Sequence, residues 1–179
     1  MFGYRNITIG SHNIQGGGQR KLTHTDLVAE ISRYDIYCIQ ESWLDHCMTN
    51  IDIPGYVVIR SLRKKGNKKK VFGGSLIYYR AEYDNKYIKK INSKYEDMLW
   101  IWIDGEHFHL PTDLYLCCTY IPHEGSPIHD ERKTDPYDIL ADEIATHQRK
   151  GMVLLMGDFN SRIGQMQEDW SHTDDPVPT

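Results

Sequence analysis

The chain has 179 residues, of which 40% are hydrophobic and 26% charged, with a formal net charge of −4. That length suits one domain of ordinary size, and the composition is globular, which excludes wholesale disorder. No apolar run approaches the roughly 18 residues needed to span a bilayer, and the mild negative charge does not by itself point to a polyanion partner.

Met1-Phe2-Gly3-Tyr4 leads straight into a strand pattern, so no signal peptide is expected. Residues 5–14 (RNITIGSHNI) read as a strand with Ile7 and Ile9 on one face, and Ser11 and Asn13 continue that face at its far end. Gly16-Gly17-Gly18 breaks the pattern and reads as a loop. Thr23 or Thr25 can cap a helix through about Ser32, with Leu27, Val28 and Ile31 at helical spacing and Asp26 at the positive N-terminus. Residues 35–40 (DIYCIQ) are then a buried strand that ends at Glu41. Strand, helix, strand is the unit that makes a parallel crossover, with both strand ends pointing the same way.

Residues 43–52 read as loop or short helix, and Pro54-Gly55 as a turn. Residues 56–61 and 71–80 read as a hairpin, with Gly73-Gly74 marking a bulge or a close backbone approach. Between them Arg60, Arg63, Lys64, Lys65, Lys68, Lys69 and Lys70 carry seven positive charges with no acid, so the rest of the chain is net acidic. Residues 86–91, 99–103 and 114–120 follow as strands rich in Ile, Trp, Tyr and Leu. A long loop precedes a helix over 136–150, which starts at Pro136 and carries Ile139, Leu140, Glu143, Ile144 and His147 at helical spacing. Gly151 ends it. Residues 152–156 (MVLLM) read as a fully buried strand that stops at Gly157 and delivers Asp158 and Asn160 to one side and Phe159 to the other. Residues 1–164 form one domain, and 165–179 are expected to be a loosely ordered acidic tail. Cys38, Cys47, Cys117 and Cys118 form no C-x-x-C pair and read as reduced thiols, which with the missing signal peptide suggests an intracellular protein, nuclear or cytoplasmic.

Four apolar runs end in a polar residue and a turn, at Asn13, Glu41, Tyr120 and Asp158 with Asn160. Ligands bind outside the carboxyl ends of strands in open α/β sheets. These ends supply two carboxylates, two amides and a phenol, an oxygen-rich set that suits Mg²⁺ together with a phosphate substrate. Each residue also has a plain structural explanation. Asn13 can form a turn, Glu41 can cap the segment after it, Tyr120 can be a strand-end aromatic, and Asp158 with Asn160 can make an Asx turn. The lysine run can be a solvated hairpin tip or a contact for a DNA backbone. His107-Phe108-His109 lacks a third zinc ligand nearby and reads as surface or strand.

The ordered series SHNIQGG, CIQES, GGSLIYY, TYIPHEGS and GDFNSRIG resembles the endonuclease/exonuclease/phosphatase superfamily, most closely the apurinic-like endonuclease domain of non-LTR (LINE-type) retrotransposons. The resemblance covers about residues 4–164. It implies a two-sheet α/β sandwich of the DNase I-like type with helices outside, and Mg²⁺-dependent (or Mn²⁺-dependent) phosphodiester cleavage. Carried over by residue, it implies Glu41 as the direct metal ligand, Asn13 at the metal–water site, and Tyr120 on the scissile phosphate. It further implies that Asp158 orients or deprotonates the attacking water and that Asn160 stabilises transition-state charge. Arg63, Lys64, Lys65, Lys68, Lys69 and Lys70 would contact the DNA backbone, with no membrane partner and with a reverse-transcriptase region in a longer parent polyprotein. Gln15 stands where repair-type members have an aspartate. Members also carry a C-terminal Ser-Asp-His or similar triad, whereas His172 here lies in Ser-His-Thr-Asp-Asp, so the last strands and an outer helix are expected to be absent. The functions open at this point are a DNA-nicking nuclease, a non-catalytic remnant, and a phosphatase of the same superfamily.

Overall fold

The computed structural model describes residues 7–45, 51–63, 72–83, 85–123, 126 and 134–161. Within them the chain runs β1 (Ile9–Asn13), α1 (Gly18–Leu22), α2 (Thr25–Ile31), β2 (Ile36–Gln40), β3 (Tyr56–Ser61), β4 (Ser75–Arg80), β5 (Ile88–Ile91), β6 (Met98–Ile103), β7 (Leu114–Tyr120), α3 (Pro136–His147) and β8 (Met152–Asp158). The strands form two four-stranded sheets, in the orders β1-β2-β4-β3 and β5-β6-β7-β8. Each sheet has one parallel pair, with Asn13 opposite Gln40 in β1/β2 and Tyr120 opposite Asp158 in β7/β8. The remaining pairs are antiparallel.

Alternation along the strands sorts the apolar side chains into three cores. Ile36, Cys38, Ile77, Leu99, Ile101, Leu116 and Cys118 meet between the sheets. Tyr37, Ile39, Leu76 and Tyr78 on the outer face of the first sheet pack with Leu22 of α1 and Ile31 of α2. Trp100, Tyr115 and Cys117 on the outer face of the second pack with Leu140 of α3. The neighbours Cys117 and Cys118 therefore belong to different cores. The result is an α/β sandwich of two facing mixed sheets with helices outside.

Several expectations need correction. Gly18 opens α1 instead of staying in a loop. His24, not Thr23 or Thr25, occupies the N-cap of α2, where its imidazole accepts from the Asp26 N–H at 3.4 Å. The helix over 136–150 ends at His147, and the Gln148 N–H closes it onto the Ile144 carbonyl. The strand expected from residue 86 begins at Ile88. β8 is not fully buried, because it pairs only with β7 and forms a sheet edge among the described residues. Met152 and Leu154 are each 37% exposed there. Cys38, Cys117 and Cys118 are buried free thiols, while Cys47 and the acidic tail lie outside the described residues. Among the described residues no helix is long and apolar enough to cross a membrane.

Candidate active site

The two parallel pairs bring the carboxyl ends of β1, β2, β7 and β8 to one edge of the sandwich. Asn13 closes β1, and Glu41 follows the last residue of β2. At this edge the Asn13 amide joins the two sheets. Asn13 Nδ2 donates to Glu41 Oε1 at 2.7 Å and to Asp158 Oδ2 at 2.8 Å. The Gln15 N–H donates to Asn13 Oδ1 at 2.9 Å, which fixes which end of the amide faces the carboxylates. Asn13 thus turns its nitrogen toward the two carboxylates and holds them together. Asp158 Oδ1 accepts from the Asn160 N–H at 3.0 Å. The Asx turns considered from sequence at Asn13 and Asp158 are therefore both present, each using one oxygen, while the other end of the side chain reaches across the sheets.

The backbone around Glu41 is wound tightly. Glu41, Trp43, Gln15 and Asn160 have positive φ angles of 52°, 51°, 50° and 46°, and Gly73 and Gly74 of 80° and 83°. Left-handed non-glycine residues are uncommon, and they concentrate where surrounding contacts hold a functional geometry in place. Those contacts are backbone bonds: Gly16 N–H to the Glu41 carbonyl at 2.7 Å, Ser42 N–H to Gly74 O at 3.0 Å, and Trp43 N–H to Gly73 O at 2.9 Å. Gly73-Gly74 is thus the close backbone approach expected from sequence. Gly157, just before Asp158, has φ 145°, and a Cβ there would sit 1.9 Å from the Thr119 carbonyl.

Tyr120 lies opposite Asp158 on β7. Burial, then the Glu41 carboxylate, push its hydroxyl up to about 12, with Asp158 and Asp97 adding to the shift and Arg63 pulling against it. The phenol is therefore a donor at neutral pH. Asn160 Nδ2 donates to the Ile121 carbonyl at 2.9 Å, so part of that amide secures the end of β7.

Arg63, expected among the cations on the DNA backbone, is turned into the protein. Its side chain is 9% exposed, and it grips the fully buried Asp97 carboxylate from Nε at 2.8 and 2.9 Å and also from Nη2. Burial and a carboxylate partner leave it no surface to offer a phosphate. Lys64, Lys65, Lys68, Lys69 and Lys70 lie outside the described residues. The Asp97 carbonyl accepts from the Tyr120 N–H at 3.0 Å, so the Arg63–Asp97 pair sits directly behind the tyrosine. Sequence reasoning missed this pair, since nothing in an isolated Asp before a strand signals a partner 34 positions earlier. It also missed Trp43, whose Nε1 donates to Glu41 Oε2 at 3.2 Å. His107 stacks on Tyr87 at 3.5 Å instead of facing a metal.

Among the described residues no cation bonds to Glu41 or Asp158, and no group of three His, Cys, Asp or Glu side chains could hold a metal alone. Two carboxylates held together by one amide, with lone pairs left over, suit a hard cation that keeps most of its waters.

Residues 10–175 match the family model described as Endonuclease/Exonuclease/phosphatase family, and the chain belongs to that family. No curated protein matches it significantly. Among solved structures it is similar to the catalytic domain of APE2 from Xenopus laevis, at 18% identity and a TM-score of 0.61 over 87% of this chain and 59% of that one. It is also similar to the AP endonuclease LMAP from Leishmania major, at 15% identity and a TM-score of 0.58 over 85% and 54%. A third is the 3′ phosphatase NExo from Neisseria bound to product DNA hairpin, at 17% identity and a TM-score of 0.51 over 86% and 57%. These likenesses show the DNase I-like fold. The chain spans little more than half the length of each of these structures.

Proposed function

We propose that this chain is a divalent-cation-dependent phosphodiesterase domain that nicks DNA. The observation that carries the reading is the Asn13 amide bridging Glu41 and Asp158, because it gathers two carboxylates from two sheets at the strand ends, where a cation would balance them and in turn draw in a phosphate. Glu41 would hold the cation, with Asp158 facing it. Mg²⁺ fits this oxygen-rich set, and Mn²⁺ could replace it. When bound, the cation supplies neutralisation of charge on the phosphate.

The chain's own groups do the rest. Asp158 orients the attacking water and takes its proton on a carboxylate oxygen. Tyr120 donates its hydroxyl hydrogen to a non-bridging phosphate oxygen, as its raised pKa allows. The second hydrogen of the Asn160 amide would meet developing charge. Asn13 keeps both carboxylates in register. The lysine run of residues 64–70 supports DNA as the substrate through backbone charge. The motif series SHNIQGG to GDFNSRIG supports an origin in a non-LTR retrotransposon, with a reverse-transcriptase region in the parent polyprotein.

Supercoiled plasmid incubated with Mg²⁺ tests the reading. Nicking by the wild type that is lost in Glu41→Ala and in EDTA is expected. Wild-type nicking no greater than the Glu41→Ala background would sink it and leave a binding-only remnant. Release of inorganic phosphate from nucleotides without nicking would replace it with a phosphatase.

A further inference from the structure

Phe72 is the most exposed large hydrophobic side chain among the described residues, at 44%. It belongs to none of the three cores. Its ring meets Trp43 edge-on, with centroids 5.0 Å apart and planes at 71°. Trp43 is firmly held. Its indole donates to Glu41, its N–H to Gly73 O, and its backbone sits at φ 51°. A Cβ on Gly16 would lie 2.0 Å from the indole, so the Gly16 backbone presses directly against that ring system. A bulky residue kept left-handed on glycine neighbours is strained, and such strain persists only where surrounding contacts over-determine it. What these contacts achieve is to keep an apolar ring in water, one residue pair away from the Glu41 carboxylate.

We propose that Phe72, backed by Trp43, is a stacking face for a nucleobase of the bound strand. The chemistry favours a base over other apolar occupants. Bases present flat π-faces to aromatic side chains without sequence preference, while the adjoining phosphates need cations. Leaving aside Arg63, which is committed to Asp97, the sequence supplies Arg60, Lys64, Lys65, Lys68, Lys69 and Lys70, the last of them two positions before Phe72. The ring is tied through Trp43 to the carboxylate that would face the scissile phosphate, so the stacked base flanks that phosphate. A base so held must be unstacked from its neighbour on one face, which makes single-stranded or locally opened DNA the preferred ligand.

The inference rests on the nucleic-acid reading above and is tested without turnover. A short single-stranded deoxyoligonucleotide containing 2-aminopurine is titrated with the whole chain in EDTA, beside an abasic backbone of the same length. The wild type should quench 2-aminopurine fluorescence and bind the base-bearing strand at least about five-fold more tightly than the abasic one. Phe72→Ala and Phe72→Leu should remove that advantage and leave abasic binding unchanged, while Phe72→Trp keeps it. Phe72→Leu retains an apolar side chain, so it controls for any unfolding of the alanine variant. Equal wild-type affinity for both strands, no wild-type binding, or an undiminished preference in Phe72→Leu would overturn the proposal. Stacking with no nicking in the plasmid assay would sink the phosphodiesterase reading alone, and nicking without base preference would sink this one alone.

Discussion

The Asn13 amide reaches Asp158 Oδ2 at 2.8 Å across 145 positions of the chain, and this is the hydrogen bond that ties the edge of one sheet to the edge of the other. The same nitrogen holds Glu41. Truncating it leaves two like charges without their shared donor. Asn13→Ala should lower stability by about 1 kcal/mol. It should weaken cation affinity or activity by about 10- to 100-fold, the usual effect of removing a group that orients metal ligands. Urea melts and the nicking assay measure the two effects. Unchanged activity would show that the carboxylates hold their places without it.

Arg63 and Asp97 form a buried pair, so removing one partner strands the other's charge. Arg63→Met should destabilise the chain by about 3–5 kcal/mol, and the double variant Arg63→Met/Asp97→Leu should recover much of the loss. The salt dependence of DNA binding should stay as in the wild type, because this guanidinium meets no phosphate. A shallower salt slope in Arg63→Met would contradict the placement.

Tyr120 keeps its proton because burial and the nearby carboxylates push it up to about 12. The nicking rate should therefore show no limb from tyrosine ionisation between pH 6.5 and pH 10. Tyr120→Phe should slow nicking by roughly 10²- to 10³-fold, the typical cost of deleting one donor to developing charge. A rate that follows a tyrosinate signal near pH 10 would mean that the phenol acts as a base.

His147 is wedged between Trp100 and Tyr115, with ring centroids 4.7 Å away in both cases, and its Nδ1 has no hydrogen-bond partner among the described residues. Burial lowers its pKa below the ordinary 6.5, Lys150 lowers it further, and Glu143 opposes the shift. The unfolded chain then takes up the proton first. The stability this group contributes is complete above pH 6.5 and is lost as pH falls through the lowered folded value. Chemical melts between pH 8 and pH 5 should show that decline, and His147→Phe should flatten it. Identical pH dependence in the variant would assign the decline to other groups.

The strand ends were legible because an apolar run that stops at a polar residue looks the same in any context, and four such stops fell in an order that fixes the topology. The first parallel crossover was read from strand–helix–strand spacing, and β7, α3 and β8 repeat that spacing. What stayed hidden depends on partners far along the chain. MVLLM reads identically in a central strand and at an edge, so the exposure of Met152 and Leu154 could not be seen. Arg63 looked like one more cation in a basic run until Asp97 appeared beside it. The orientation of the Asn13 amide is decided by the Gln15 N–H, which no residue pattern records.

The parallel pairing of β7 with β8 has a kinetic consequence. β8 cannot dock until α3 has crossed over, and β1 must likewise wait for α1 and α2 before it meets β2. No early hairpin therefore contains two of the four strand ends that build the site. Contacts of such sequence separation form slowly, since the chain between them must be ordered first. Competence to bind a cation should appear only in the slowest refolding phase, which would make the site a reporter of when the two sheets close on each other.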